Sequence, residues 1–417
     1  MRALAVVNCR QLVTLAGPAR PRVREELKQL AIVRDGALLI RDGSIEQTGA
    51  RADLERKIGP EYDMVDAGGR VVMPGFVDAH THPVFAGNRV DEYEQRAGGA
   101  TYEQIAAAGG GIRSTVRKTR AASEDELFDS AQRRSEWFLR TGTTMIEAKS
   151  GYGLSLESEL KMLRTIRRLN EAGPLQYVPT FLGAHEVPDE YRGRTDEYAQ
   201  IVMNEMLPKV AQEKLAEYCD VFCEPEIFDA SAATRILSAA RRWGLGIRIH
   251  ADQLSRSGGG EVAAAVGATT ADHLEHIDEA GIQALHSAGV QPVALPGSVY
   301  ALGLKQFAPA RSMIDTGLAI VLATDFNPGS SPTPSIPFVL SLAGTHMHMT
   351  PAEAVTATTI NAAYSVGRGA RLGSLEPGKQ ADFVIHDCED YREIAYFTGI
   401  EPAFETYIRG ERVYSRQ

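Results

Sequence analysis

A (β/α)8 barrel carrying a small β-sandwich domain built from the N- and C-terminal segments is the fold this sequence predicts, and three observations predict it. The middle of the chain alternates short apolar runs with helix-length amphipathic segments, the rhythm of a parallel sheet with right-handed crossovers. The alternation repeats eight times over roughly 250 residues, the length of a closed barrel. The first 75 residues and the last 40 read instead as β, punctuated by Asp-Gly and Arg-Gly turn pairs.

Eight runs supply the expected barrel strands: FVDAH (76–80), TTMIE (143–147), YVPTFL (177–182), CDVF (219–222), GIRIH (246–250), TADH (270–273), QPVAL (291–295) and AIVLA (319–323). Between them SLESELKMLRTIRRLNEAG and AATRILSAARRWG carry helical periodicity, the second stopped by Gly244 as a C-cap. An open doubly wound sheet is the competing architecture, but no G-x-G-x-x-G follows an early strand, and the glycines at 109–111 fall in a loop. Upstream, AIVRDGALLIRDGSIEQTG reads as strands joined by hairpins at Asp35-Gly36 and Asp42-Gly43. Downstream, ADFVIHDC and ETYIRGERVY alternate apolar and polar residues around Arg409-Gly410. The domain limits expected are 1–74 and 366–417 for the two parts of the β domain and 75–365 for the barrel.

The 417 residues are 44% hydrophobic and 24% charged, a globular balance that excludes disordered and fibrous classes. Lys+Arg total 44 against Asp+Glu 54, a formal charge of −10, so no basic face is expected for phosphates and no nucleic-acid partner. No apolar run reaches the ~20 residues needed to span a bilayer. Asn8, Arg10 and Gln11 interrupt the short N-terminal apolar stretch before a signal-peptide core forms, so no membrane partner and a cytoplasmic location are expected. The four cysteines, Cys9, Cys219, Cys223 and Cys388, are too scattered for a disulfide framework, and Cys219 and Cys223 read as small core residues.

In a barrel the reactive groups sit at the C-terminal ends of the strands. The first run ends in Asp78-Ala79-His80-Thr81-His82, and residues i and i+2 of a strand point to the same side, so His80 and His82 can face one ion. The fifth run ends at His250, the sixth at His273, and the eighth leads to Asp325 in ATDFNPG. The third leads to His185, and the second to Lys149 and Tyr152. A lone histidine of this kind is more often a packed residue than a ligand. An H-x-H pair with further histidines and an aspartate on one rim points to a metal instead. Three imidazoles and one carboxylate suit Zn2+ or Fe2+, whereas Mg2+ or Ca2+ would want mainly oxygen. An open rim leaves a position for water, whose pKa the ion would lower toward neutrality.

PGFVDAHTHPVFAGNR, EAKSGYG, FLGAHEVP, IHADQ, ADHLEH, LATDFNPGS and the tail motif GKQADFVI together resemble the amidohydrolase superfamily over almost the whole chain. HPVFAGNR, KSGYG and TDFNPGS are similar to the branch that opens the ring of 4-imidazolone-5-propionate to N-formimidoyl-L-glutamate in histidine degradation. The resemblance implies a metal-dependent hydrolase that cleaves a cyclic C–N bond, with His80, His82, His250 and Asp325 holding one Zn2+ or Fe ion per subunit. It implies that Asp325 takes the proton of the attacking water and delivers it to the departing ring nitrogen. His273 would donate to the developing oxyanion or orient the water. Arg89 would bind the substrate propionate, whose carboxylate a guanidinium matches bidentately. Tyr152, His185, Gln253, Asn327, Gly329 and Ser330 match the remaining substrate or product positions, and a homodimer is implied as well.

Plainer readings stand beside these. Arg89 could pair with Asp91 or Glu92 on the surface, Tyr152 could pack a loop, Lys149 could neutralise a neighbouring carboxylate, and Asn327-Pro328-Gly329 suits a tight turn. Ser330 stands where the family commonly has Thr, which keeps the hydroxyl. Gln253 stands where the superfamily's nucleobase deaminases carry a proton-shuttling Glu, and an amide cannot serve as that acid, so deamination is disfavoured. The fourth strand, ending Cys223-Glu224-Pro225, lacks the lysine that binuclear members carboxylate, so one metal is expected. A hydrolase or deaminase of another ring is the nearest alternative. A ligand-less assembly module is the other, and it would lack metal residues that are all present here.

Overall fold

The computed structural model describes residues 3–100, 104 and 109–416. The N-terminal segment contributes β1 (Ala3–Val13), β2 (Ile32–Arg41), β3 (Ser44–Ala50), β4 (Tyr62–Asp66) and β5 (Val71–Pro74). The barrel strands follow as β6 (Phe76–Thr81), β7 (Thr143–Lys149), β8 (Gln176–Ala184), β9 (Tyr218–Cys223), β10 (Gly246–Ala251), β11 (Thr270–His273), β12 (Gln291–Ala294) and β13 (Val321–Leu322). The C-terminal segment adds β14 (Phe383–His386), β15 (Ala403–Ile408) and β16 (Glu411–Ser415).

The barrel sheet has 8 strands in chain order, and all eight apolar runs read from the sequence lie on or against its strands. Closure comes from backbone bonds between the first strand and the segment after the last. Asp325 N–H donates to the His80 carbonyl at 3.1 Å, and His82 N–H donates to the Phe326 carbonyl at 2.8 Å. The bonds that shut the barrel therefore carry the aspartate of the last strand to the H-x-H of the first. On β10 the alternation is direct: Ile247, Ile249 and Ala251 join the core beneath the outer helices, while Arg248 and His250 point the other way, into the barrel.

The outer helices form for local reasons. In Glu124–Arg140 the Ser123 hydroxyl accepts from Glu126 N–H and the Glu126 carboxylate accepts from Ser123 N–H, a reciprocal cap. Leu127, Ala131, Arg134 and Phe138 are buried, the spacing of one helix face. The helix Ala230–Arg242 ends where Gly244 takes φ +81°, a left-handed conformation that favours glycine, as its sequence predicts.

The terminal strands share one sheet of 8, in the order β16-β15-β14-β5-β1-β2-β3, with β4 also on β1. β5 pairs antiparallel with β14, which joins the two ends of the chain. The sheet curls so that Leu38 and Ile40 of β2 share a cluster with Phe383 and Ile385 of β14 and Tyr407 of β15. Asp42-Gly43 and Arg409-Gly410 are hairpin turns with both residues at positive φ. Asp35-Gly36 is not a hairpin. Both residues lie inside β2, with Asp35 at φ +45°, and the register slip beside them puts its extra residue on β1 between Val6 and Cys9, so the Asp-Gly pair stays within the ladder and makes no reversal. No described helix is long and apolar enough to cross a membrane.

Candidate metal centre and substrate pocket

His80 and His82 leave the end of β6 two residues apart, and their Nε2 atoms lie 3.3 Å from each other. Asp325 Oδ1 sits 3.6 Å from His80 Nε2 and 3.5 Å from His82 Nε2. One ligand atom each of His80, His82 and His250 falls within a 4.8 Å cluster, as does one each of His80, His273 and Asp325. His250 Nε2 is buried and has no hydrogen-bond partner among the described residues. The remote nitrogens face carboxylates: His80 Nδ1 is hydrogen-bonded to Asp272 Oδ2 at 2.7 Å, and His250 Nδ1 lies 3.0 Å from Asp220 Oδ2. That arrangement points both Nε2 lone pairs inward. Convergent imidazole nitrogens and a carboxylate oxygen, buried and short of partners, fit a cation of the borderline class.

The electrostatics agree with that use. Burial holds the His80 and His82 imidazoles well below the usual range, with Lys149 and His185 respectively adding to it, so both stay neutral and available as ligands. Burial pushes the Asp325 carboxyl up to about 7, against the pull of His273. For His273 burial acts downward, and Glu275, with Oε1 at 3.4 Å from Nδ1, outweighs it and leaves the imidazole above its ordinary value. Asp325 (φ +54°), His273 (φ +80°) and Leu274 (φ +71°) all have left-handed backbones, the strain that clusters at functional sites.

The other sequence-predicted residues gather on the same rim. Tyr152 and His185 pack on His82, the His185 ring stacked at 5.1 Å and the Tyr152 ring at 5.9 Å. His185 Nδ1 lies 3.0 Å from the Gly151 carbonyl. Gln253 is placed by its backbone N–H, which donates to Glu224 Oε1 at 3.0 Å. Arg89 Nε donates to Thr115 Oγ1 at 2.9 Å, and its guanidinium lies against Gly329, where a Cβ would collide with Nη1. Asn327 builds the loop: its Oδ1 accepts from Gly329 and Ser330 N–H at 2.8 and 2.7 Å, and its Nδ2 donates to the Asp325 carbonyl at 2.7 Å. Ser330 Oγ stands 3.5 Å from Asp325 Oδ2.

Sequence reasoning passed over the carboxylates behind the histidines. Asp220 and Asp272 lie in CDVF and TADH, and the available signal was a charged residue inside an apolar strand run. Lys149 neutralises buried carboxylates, as its plainer reading holds, with Nζ 2.7 Å from Asp220 Oδ2 and 3.0 Å from Glu147 Oε1. Burial pulls its ammonium down, and Asp220 and Glu147 outweigh that and hold it above the usual range.

The sequence model of the amidohydrolase family matches residues 71–413. An imidazolonepropionase of Solibacter usitatus is 62% identical over 412 residues, covering 99% of each chain, and one of Geobacillus kaustophilus is 48% identical over 99% of this chain and 98% of its own. The chain belongs to the imidazolonepropionase branch of the amidohydrolase family. Among solved structures, a guanine deaminase of E. coli shares the fold at a TM-score of 0.73, with 17% identity and 100% of both chains covered. A 5-methylcytosine deaminase of Klebsiella pneumoniae gives a TM-score of 0.74 at 16% identity, covering 99% of this chain and 98% of its own. Both likenesses concern the fold. The amidohydrolase family is metal-dependent, and the histidine-rich rim of this chain could hold a metal ion.

Proposed function

We propose that the protein hydrolyses the cyclic amide of 4-imidazolone-5-propionate to N-formimidoyl-L-glutamate, a step of histidine degradation. The observation that carries the reading is the convergence of His80, His82 and His250, with Asp325 Oδ1 3.6 and 3.5 Å from His80 and His82 Nε2, beside an arginine seated on a side-chain-free glycine. The 62% full-length identity to an imidazolonepropionase supports the same substrate. His80, His82, His250 and Asp325 would hold one Zn2+ or Fe ion per subunit. When bound, such an ion supplies Lewis acidity, lowering the pKa of a water and polarising a carbonyl.

The chain's own residues do the rest. Water adds to the ring carbonyl carbon, the C–N bond breaks, the carbonyl carbon ends as a carboxylate, and the departing nitrogen keeps its electron pair and gains a proton. Asp325, poised by burial, takes the proton from water and returns it to that nitrogen. His273, oriented by Glu275, donates to the developing oxyanion or aligns the water. Arg89 grips the propionate, and Tyr152, His185 and Gln253 wall the ring. Asn327 fixes the loop that offers Gly329 and Ser330. The division at 1–74, 75–365 and 366–417 separates scaffold from barrel. The four cysteines, all free, support a reduced cytoplasmic setting, and a homodimer follows from the family resemblance.

The test is turnover of freshly generated 4-imidazolone-5-propionate, followed by loss of ring absorbance with the product identified by mass. Chelator-sensitive formation of formimidoylglutamate is expected. No turnover by metal-replete protein would remove this substrate.

A further inference from the structure

Beneath the histidines the barrel interior is charged, where side-chain layers in such barrels are dominated by branched apolar residues. Glu147 and Lys149 of β7, Asp220 of β9, Arg248 of β10 and Asp272 of β11 are all fully buried. Two carboxylates in this layer also back the two oriented imidazoles, and one ammonium reaches both. Lys149 Nζ lies 2.7 Å from Asp220 Oδ2 and 3.7 Å from Asp272 Oδ2. The same Asp220 oxygen is 3.0 Å from His250 Nδ1, and the same Asp272 oxygen is 2.7 Å from His80 Nδ1. Arg248 shares Asp272 with Lys149, its Nη2 lying 3.5 Å from Asp272 Oδ2, but its Nη atoms are also held by the Ser365 and Ala79 carbonyls at 3.1 and 2.7 Å, and the ammonium 2.7 Å from Asp220 Oδ2 is that of Lys149.

We propose that Lys149 is a positioning residue for the metal centre, a clamp between Asp220 and Asp272 that fixes the spacing and ring rotation of His250 and His80. The inference rests on reading those histidines as metal ligands. Without the ammonium, two carboxylates stay buried with their charge less compensated, and like charges in a water-free interior move apart. Each carries an imidazole with it. Asp220 is otherwise pinned on its other oxygen, which accepts from Val221 and His250 N–H at 2.7 and 3.1 Å, so the Oδ2 edge is the one Lys149 controls.

The experiment measures Zn2+ affinity of the full-length chain by chelator competition, after stripping and reloading, with a thermal melt of each metal-free form in parallel. Lys149→Met is expected to weaken Zn2+ binding by roughly 10- to 100-fold, the usual effect of losing a partner behind the ligands. The ligand-field bands of the Co2+-loaded chain should shift with it. A role in stability alone would lower the melting temperature and leave the metal affinity of the folded chain unchanged, so a folded Lys149→Met with wild-type affinity overturns the clamp. If Lys149→Met does not fold, Lys149→Met/Asp220→Asn removes the charge imbalance. It is expected to bind Zn2+ more weakly than Asp220→Asn alone, because Asp272 is then left with Arg248 at 3.5 Å and without the ammonium, and equal affinity overturns the proposal. A wild-type chain that binds neither Zn2+ nor Fe2+ would instead sink the metal reading itself.

Discussion

Arg89 and Gly329 are meaningful only as a pair. The guanidinium occupies the space that any side chain at 329 would need, and its Nε is tied to Thr115, so the fork is presented rather than free to collapse onto neighbouring acids. Arg89→Ala should raise KM by roughly 10- to 100-fold with kcat little changed, the equivalent of losing a ~1.5–3 kcal/mol charged hydrogen bond used equally in ground and transition states. Gly329→Ala should act in the same direction by displacing Arg89. Steady-state kinetics check both, and a wild-type KM in Arg89→Ala would take it out of the substrate site. Asp325→Ala should leave the fold intact by circular dichroism while lowering kcat by at least ~10²–10⁴-fold, the range of a lost proton-transfer group.

At the scale of elements, turns and caps carry definite costs. The reciprocal cap at Ser123 and Glu126 satisfies N–H groups that start the helix Glu124–Arg140, so Ser123→Ala should cost about 1 kcal/mol. Urea unfolding would show this as a lower midpoint at unchanged slope. The same scale shows why two identical dipeptides diverged. Asp42-Gly43 and Asp35-Gly36 both supply a residue that tolerates positive φ, but only the first falls where β2 ends and β3 begins. Cys9 pairs with Gly36 and Gln11 with Arg34, so the second is held inside the ladder and turns nothing. Local turn propensity is real in both cases, and strand pairing decides what it is used for.

Across the whole molecule, His386 marks the seam between the terminal sheet and the barrel. It lies on β14 against Phe76 of β6, with ring centroids 5.7 Å apart, and neither ring nitrogen has a partner among the described residues. Burial lowers its pKa from 6.5 to about 3. As pH falls through 6.5 the unfolded chain binds a proton that the folded chain refuses, so stability is full above that value. It is lost by up to about 1.4 kcal/mol per pH unit on the way toward pH 3. His386→Leu should flatten that fall in urea midpoints taken between pH 7 and 5; an unchanged slope would show that other groups set it. Metal removal is the other global lever: a chain loaded at a thousandfold excess over Kd should lose ~4 kcal/mol of stability on chelation, read by calorimetry.

The order of residues alone revealed the strand–helix rhythm, the β-rich ends, and the strand-end positions of His80, His82, His250, His273 and Asp325. It could do so because strand periodicity and rim placement are local properties: apolar runs mark the strands, and a polar group just past each run marks the mouth. Tertiary structure alone decided which strand ends meet. Asp325 reaches His80 only because the barrel closes through their backbones. Asp220 and Asp272 are recognisable as the supports of His250 and His80 only once β9, β10, β11 and β6 are wrapped around Lys149. A charge within an apolar run is a cost in isolation, and what offsets it lies on other strands, as far as 192 residues away along the chain for Asp272 and His80.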